Sequence, residues 1–409
     1  MKRLHVTALL AGCATLAAMG QAGAGGFNRG VANLDGLYGA TQLGLYAGVT
    51  YVAPQRSYDS ISGVVVVGGA PTPFTQGAIE FAGDYTVPYA SVGGRIVGDV
   101  NCVGSYTQPF GADSEYSGAI TFHTASQNLE TDEFGLTCAY GFDLPKGRLS
   151  IIGGGFYEMI DYSQARNFTT AFGIPGDSDV ALTSEAWGYR LGVGYEIPEY
   201  ALKVQLLYRS QTDHDASGDY SNTPFATLAV ATGAMTPQQA AAVYGAAMSA
   251  PATASASLPQ TIDLTVQSGI AEGWLAFGSI KWTDWSVLTD IQVTEGIAGL
   301  PFSTTRFFFE DGWTITGGVG HRFNPALSGS LSLTWDKGVS TGWDTLTDTW
   351  TIAGGLAYDV NSNIQVRGGG AAIYFTEGTK SQVSSPVDYT ATSPSEWGYA
   401  LSVSAAAKF

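Results

Sequence analysis

Apolar and polar residues alternate with a period of two along much of the chain. One apolar row runs through Trp187, Tyr189, Leu191, Val193 and Tyr195, and the residues between them are small or polar. In a β-strand, successive side chains face opposite sides, so each such segment has one apolar face and one small or polar face. The recurrence of this pattern predicts an all-β protein.

About fourteen strands account for the alternation. Tight turns join every second pair of strands, while most other connections are long, and the longest is predicted at residues 215–257. An even number of strands with short turns on one side and long loops on the other is typical of bacterial membrane barrels. The strands are predicted at 43–53, 87–96, 100–116, 129–144, 148–165, 179–197, 200–214, 258–271, 274–294, 305–323, 328–340, 346–360, 364–380 and 395–409.

A soluble sandwich would show the same alternation, but two further features favour a transmembrane antiparallel β-barrel. Trp187, Trp313 and Tyr358 stand at the ends of apolar rows, where the aromatic girdles of membrane barrels belong. The opposite rows carry cations that a packed sandwich core would not tolerate. These inward cations are Arg190, Lys203, Arg209, Lys281, Arg322 and Arg367.

The composition agrees with a lipid-facing belt. Only 13% of residues are charged, against about 25% in soluble domains. After residue 24, no stretch approaches the ~20 apolar residues that a spanning helix needs, so the belt must be built from shorter segments. The formal charge of −17 argues against nucleic acid or anionic lipid as a partner, because both attract basic surfaces.

The first residues have the features of a secretory signal peptide. Lys2 and Arg3 precede a mostly apolar run from Leu4 to Ala18, and Ala22-Gly23-Ala24 offers a cleavage site. A lipoprotein box at Leu10-Ala11-Gly12-Cys13 is the alternative, although it leaves a very short apolar run. The predicted organisation is a cleaved signal peptide at 1–24, a short N-terminal hatch segment acting as a luminal plug at 25–42, and a barrel at 43–409.

Two cysteines remain after cleavage, Cys102 and Cys138, on predicted strands three and four. An exported protein meets an oxidising periplasm, so these two residues are candidates for one disulfide. No metal or other cofactor is expected, because the histidines are scattered and lack metal-ligand spacing. The histidines are His5, His123, His214 and His321.

The last strand ends on an aromatic residue. Its apolar row runs Trp397, Tyr399, Leu401, Val403, Ala405, Ala407 and Phe409. A terminal strand that finishes in this way resembles the signal by which outer-membrane barrels are recognised for insertion. The barrel assembly machinery, acting through Phe409, is therefore an expected partner, together with outer-membrane lipid and lipopolysaccharide in a Gram-negative outer membrane.

Residues 258–293 resemble a known family. They are similar to strands eight and nine of FadL-type transporters, which carry long-chain fatty acids and aromatic hydrocarbons across the outer membrane. The similarity lies in the Leu258-Pro259 entry, the Glu272-Gly273 turn and the run Lys281-Trp282-Thr283-Asp284-Trp285-Ser286. Weaker similarity covers Gly26-Phe27, Thr50–Pro54, the hairpin near 136–155 and the last strand. The resemblance implies a monomeric fourteen-stranded barrel with an N-terminal hatch, loop capture of substrate, a luminal site and lateral exit at a kinked third strand.

Pro109-Phe110-Gly111 interrupts strand three and is the counterpart of that kink. Proline cannot donate to the ladder, so it belongs at an edge, bulge or break; an ordinary bulge is the alternative to a lateral opening. The segment before strand one departs from the family, because it is short and lacks an Asn-Pro-Ala motif. That motif occurs instead at Asn324–Ala326, in a predicted turn.

A substrate with an apolar tail and a carboxylate head would bind apolar residues and a cation in the lumen. Burial contributes about 0.8 kcal/mol per methylene, and arginine makes charge-assisted bonds to a carboxylate. The predicted luminal ligand-binding residues are Arg190, Arg209, Lys281, Arg322, Leu275 and Phe277. The alternative for each cation is pairing with an inward acid such as Glu196 to brace the barrel.

Three other function classes are alternatives to transport. An enzyme is not expected, because there is no Gly-x-Ser-x-Gly elbow and no histidine is placed for a catalytic triad. A general diffusion porin would need opposed rows of acids and bases at a constriction. A structural or adhesin-type barrel remains the third alternative.

Overall fold

The fold is given by a computed structural model that describes residues 25–38, 43–67, 70–169, 175–222, 230, 233, 236–239, 249–295, 301–384 and 387–409. The predicted signal peptide at 1–24 and the end of the predicted hatch at 39–42 lie outside the described residues. Within the described residues, no helix is long and apolar enough to cross a membrane.

Strands make up nearly all of the described chain. The first thirteen are β1 (Gly44–Ala53), β2 (Ser57–Tyr58), β3 (Ser60–Val67), β4 (Ala70–Gln76), β5 (Ile79–Glu80), β6 (Tyr85–Val97), β7 (Val100–Thr107), β8 (Gly111–Glu115), β9 (Ser126–Leu144), β10 (Gly147–Thr169), β11 (Pro175–Ile197), β12 (Leu202–Arg209) and β13 (Thr212–Asn222). The others are β14 (Ser249–Leu258), β15 (Thr261–Ala271), β16 (Trp274–Thr283), β17 (Asp290–Glu295), β18 (Pro301–Arg306), β19 (Gly312–Arg322), β20 (Leu327–Asp336), β21 (Thr349–Asp359), β22 (Ile364–Phe375), β23 (Gly378–Ser384), β24 (Val387–Ser393) and β25 (Glu396–Lys408).

Nineteen of these strands form one closed antiparallel sheet. In five cases, two consecutive strands occupy a single position in the wall, so the nineteen strands fill fourteen positions. The five cases are β7 with β8, β12 with β13, β14 with β15, β16 with β17 and β18 with β19. These are called wall strands one to fourteen, from β1 to β25. The barrel closes where β1 pairs with both β25 and β6. The predicted fourteen-stranded antiparallel barrel is confirmed.

The outer face of the wall is apolar. Leu136, Leu191, Leu356, Leu401 and Val403 each expose more than half of their surface, as expected of side chains that face lipid. The predicted outward placement of Trp187, Trp313 and Tyr358 is also observed, at 77%, 42% and 52% exposure.

Aromatic residues form a girdle near the end of the wall that carries the long loops, here called the loop end. Neighbouring strands place them directly opposite one another in the register, which makes a nearly continuous band. Its members include Tyr106, Phe134, Tyr157 and Trp187 on wall strands three to six, Trp282 and Trp313 on nine and ten, and Trp335, Trp350, Tyr374 and Trp397 on eleven to fourteen.

Several strands run further than the alternation predicted. β13 continues to Asn222 and β14 begins at Ser249, so the predicted loop at 215–257 is shorter than expected. These extensions project beyond the girdle, where no lipid selects an apolar row, so their Ser-, Ala- and Asp-rich sequence has no recognisable pattern. Wall strand thirteen ends at Phe375, and residues up to 380 belong partly to a separate hairpin.

The outer loops contain a second sheet that the sequence did not predict. Strands β3, β4, β23 and β24 pair into four antiparallel strands from the first and seventh loops. Tyr58, Ile61, Val65, Ile120 and Tyr389 form its buried core together with the second loop. The loops therefore make a packed cap beside the lumen.

Candidate luminal site

The N-terminal segment Gly25–Tyr38 lies against the inner face of the wall. Phe27 makes edge contacts with the rings of Trp285, Phe307 and Phe309 at 5.5–5.7 Å between centroids. Further along the segment, Leu37 packs in a cluster with residues of wall strands three to five. The segment thus runs down the lumen from an aromatic cluster toward the end with the short turns, here called the turn end.

Wall strand three is broken in its upper half. β7 ends at Thr107 and β8 begins at Gly111, and the pairing of β6 with β7 stops at Tyr89 opposite Thr107. Within the described residues, Tyr85–Pro88 keep their partners on β1 but have none in the ladder of wall strand three. The seam between wall strands two and three is therefore open just above the girdle.

The N-terminal segment occupies this seam from inside. The Arg29 amide donates to the carbonyl of Pro109 at 2.8 Å, and the Gly111 amide donates to the carbonyl of Phe27 at 2.9 Å. Asn28 and Phe110 form an isolated antiparallel bridge. The backbone groups freed by the break are thus satisfied by the N-terminus in place of wall strand two.

On the other side of the break, Thr131 of wall strand four replaces a ladder bond. Its hydroxyl accepts from the Phe110 amide at 2.9 Å and donates to the Phe110 carbonyl at 2.8 Å. The Phe110 side chain turns inward and packs against Trp285 at 5.6 Å. The break is therefore a defined local structure with polar groups satisfied on both sides.

Two predicted luminal cations belong to a buried ion cluster. Arg190 pairs with Glu133, and Arg209 pairs with both Glu133 and Glu158. The Nε2 atom of His214 lies 3.2 Å from Glu158. Two arginines and two glutamates balance in charge, which offsets the large cost of burying each ion alone. Neither arginine pairs with Glu196, which lies opposite Lys203 in the register.

The other predicted ligand residues divide into two groups. Lys281 donates to the Asn28 side-chain oxygen at 3.3 Å, and both Lys281 and Phe277 line a luminal cavity. Leu275 is fully buried but lines neither cavity described below. Arg322 lies at the turn end, where its Nε donates to the Asn324 carbonyl at 3.1 Å, so the structure gives it a turn-closing contact away from the cavities.

Two cavities flank the N-terminal segment. The upper cavity, of about 190 Å³, opens among the loops and is lined by apolar and aromatic residues including Phe27, Tyr85 and Phe375. The lower cavity, of about 300 Å³, lies toward the turn end. Of the described residues, Asn28 and Arg29 line both cavities. The segment therefore forms the partition between them.

The structure also joins Cys102 and Cys138 by a disulfide across wall strands three and four. The two residues are direct partners in the register. Within the described part of the chain, no group of three or more His, Cys, Asp or Glu side chains could hold a metal ion.

A family model described as "Outer membrane protein transport protein (OMPP1/FadL/TodX)" matches residues 11–382. The chain belongs to this FadL family. Among solved structures, a Pseudomonas aeruginosa FadL homologue superposes with a TM-score of 0.76 at 14% identity, over 96% of this chain and 98% of that one. The Pseudomonas putida toluene transporter TodX gives 0.55 at 13%, over 90% of each chain. The Ralstonia pickettii toluene transporter TbuX gives 0.56 at 14%, over 91% of each. No curated protein matches the sequence.

Membership of the FadL family assigns the protein to the outer membrane as a transport protein and not an enzyme. The turn end is then the periplasmic end, and the loop end faces outward. The lumen of this FadL-family barrel is consequently an interior that contains the N-terminus, two cavities and a neutralised ion cluster.

Sequence reasoning missed Glu133, Glu158 and Arg29. Both glutamates lie at positions of the alternation that face the lumen. This alternation was a usable signal once the strand limits were known. Arg29 offered no such signal, because its neighbours in the seam belong to wall strands two and three. Only the folded path of the N-terminus brings them together.

Proposed function

We propose that this protein carries hydrophobic small molecules, either long-chain fatty acids or hydrocarbons, across the outer membrane by loop capture, luminal binding and lateral exit through the break in wall strand three. The observation that carries this proposal is the open seam at Tyr85–Pro88, where the N-terminal segment is bound to the break from inside the barrel. A wall closed by a movable segment gives an apolar molecule a path into lipid that avoids the periplasmic water.

The outer surface beside the seam supports this route. The aromatic girdle has members on wall strands three and four next to the break, but wall strand two presents Ala90 outward at the girdle level and Pro88 and Thr86 just above it. Within the described residues, wall strand two therefore presents no bulky ring outward beside the seam. The likeness to toluene transporters agrees with an apolar cargo.

The physical reason for a lateral path is the free energy of apolar surface. Moving a chain of methylenes from lipid to water costs about 0.8 kcal/mol for each group. A direct route to the periplasm would impose that cost on the whole tail, whereas the seam leads from the aromatic upper cavity to the hydrocarbon of the bilayer.

The test is the replacement of Pro109 and Gly111 by strand-forming threonine and valine. A continuous strand should re-form the ladder with wall strand two and reduce uptake of palmitate and toluene by cells at least tenfold, with the barrel still folded. Gly153→Val is the matched control, because a side chain there meets nothing within 4 Å.

Unchanged uptake in the double variant, with folding verified by heat-modifiable gel mobility, rules out the lateral route. Sugar permeation through liposomes containing the wild-type protein supports the porin alternative instead.

A further inference from the structure

Arg29 bridges the open seam with its side chain as well as its backbone. Its guanidinium carbon lies 4.0 Å from the ring centroid of Tyr85 on wall strand two, and its Nη2 atom pairs with the Asp113 carboxylate on β8. Asn128 of wall strand four donates to the other oxygen of Asp113. Arg29 therefore links the two edges of the seam above the break.

The break in wall strand three leaves a close-fitting space for the Arg29 guanidinium. Arg29 is 5% exposed, and a Cβ atom at Gly111 would lie 2.6 Å from its Cζ atom. Only glycine at this position leaves room for the guanidinium, which fixes Arg29 against the break.

Arg29 also retains unused donors beside the substrate space. Within the described residues its single side-chain hydrogen bond is the one from Nη2 to Asp113, so Nε and Nη1 have no protein acceptor. The residue lines both cavities. A guanidinium with free donors in a confined, largely apolar space favours a carboxylate ligand.

The charged residues that line the two cavities also favour a carboxylate ligand. The chain carries a formal charge of −17, yet cations outnumber acids around both cavities. The upper cavity is lined by Arg29, Arg56 and Lys380 against Asp113 and Asp344. The lower one is lined by Arg29, Arg190, Lys203, Arg209 and Lys281 against Asp35, Glu133 and Asp263.

We infer that Arg29 determines specificity for carboxylate-bearing amphiphiles and couples their binding to the opening of the seam. The substrate carboxylate binds the free donors of Arg29 and competes with Asp113 for the guanidinium. Loss of the Asp113 contact removes the side-chain link between the N-terminal segment and β8. Only the backbone hydrogen bonds at Pro109 and Gly111 then hold the segment at the break among the contacts described above, so the seam opens more readily when the head group is bound. This inference rests on the proposed function, since it takes the seam as the exit.

The experiment measures equilibrium binding of palmitate and of hexadecanol to the purified full chain in detergent, and uptake of both by cells. Arg29→Gln should weaken palmitate binding about tenfold or more, the loss expected for a charge-assisted hydrogen bond, and leave hexadecanol binding within about twofold. Asp113→Asn removes the competing carboxylate and should tighten palmitate binding. Arg148→Gln is the matched control, since Arg148 pairs with Asp99 and Asp143 at 2.8 Å at the turn end and lines neither of the two cavities, and it should change neither.

The inference is overturned if Arg29→Gln weakens both ligands equally or neither, if Arg148→Gln abolishes the preference for the acid as well, or if the wild-type protein binds alcohol and acid alike. Should Arg29→Gln fail to fold, Asp113→Asn decides alone, and unchanged palmitate binding in that variant refutes the competition. Wild-type protein that binds and takes up neither compound contradicts the proposed function itself.

Discussion

At the scale of single residues, the ion cluster links wall strands four to seven. Glu133 is 1% exposed in its side chain and is shared by Arg190 and Arg209, with the Arg209 Nε atom 3.0 Å from its Oε2 atom. A charge-balanced cluster of this kind braces the wall and leaves no arginine with an unbalanced charge. The predicted head-group role of these two residues stays a prediction, and their observed partners favour the bracing alternative.

Replacing Glu133 with Gln should destabilise the barrel by about 3–5 kcal/mol, the usual cost of leaving a buried charge without its partner. The midpoint of urea unfolding, followed by heat-modifiable gel mobility, measures the change. Glu130→Gln is the control, since Glu130 lies three residues earlier in the same strand and is exposed. Equal midpoints for the two variants would mean that the cluster does not brace the wall.

The face of the strand on which a residue lies was predictable from the sequence, but its ion-pair partner was not. The alternation placed Arg190 and Arg209 inward correctly, because each has large apolar neighbours on the opposite face. Arg190 and Arg209 lie 57 and 76 residues away from their shared partner Glu133 in the chain. Pairing across that distance depends on the register between neighbouring strands, which local sequence does not encode.

At the scale of elements, the second outer loop is held against the cap by a buried histidine. His123 follows the short 3₁₀ turn Gly118–Phe122, contacts the ring of Tyr389 at 5.8 Å, and has its Nδ1 atom 2.9 Å from the Thr124 hydroxyl. Burial, together with the positive charges of Lys380 and Arg166, lowers the pKa of His123 to about 4. The folded loop therefore holds a neutral imidazole.

Acid should loosen this loop before it unfolds the barrel. The unfolded histidine has a pKa near 6.5, so its stabilising effect is complete above that pH and is lost as the pH falls toward 4. The total is about 3 kcal/mol at roughly 1.36 kcal/mol per unit of pKa. Limited proteolysis of the second loop at pH 7.5 and pH 5 measures the effect, and His123→Gln should remove most of the difference. A pH response that persists in this variant assigns the effect to another group.

The elements themselves were predictable where lipid imposes a pattern and not beyond it. β20 and β21 lie within four residues of their predicted limits because each has a full apolar row. The loop sheet of β3, β4, β23 and β24 was missed, because its core is assembled from three separate loops. The break at Pro109–Gly111 was visible because proline interrupts a ladder, whereas the chain that fills it was not.

At the scale of the whole molecule, the backbone of Phe409 takes part in closing the wall. The Phe409 amide donates to the Leu43 carbonyl at 2.8 Å, and the Leu43 amide donates to the Phe409 carbonyl at 3.3 Å. These bonds extend the β1–β25 pairing that closes the wall. The Phe409 side chain is 65% exposed, so it contributes little packing to the barrel that its backbone closes.

This separation of backbone and side chain makes the expected role of Phe409 in assembly testable. Phe409→Ala keeps both closing hydrogen bonds and removes only an exposed ring, so refolding of the purified chain into detergent should proceed as in the wild type. In cells, the amount of folded protein in the outer membrane should fall severalfold, because the barrel assembly machinery loses the aromatic group it is expected to recognise. Phe323→Ala is the matched control, since Phe323 is 57% exposed at the same end of the barrel. If Phe409→Ala instead slows refolding in detergent as much as it lowers the cellular yield, the ring acts on barrel closure and the recognition role is wrong.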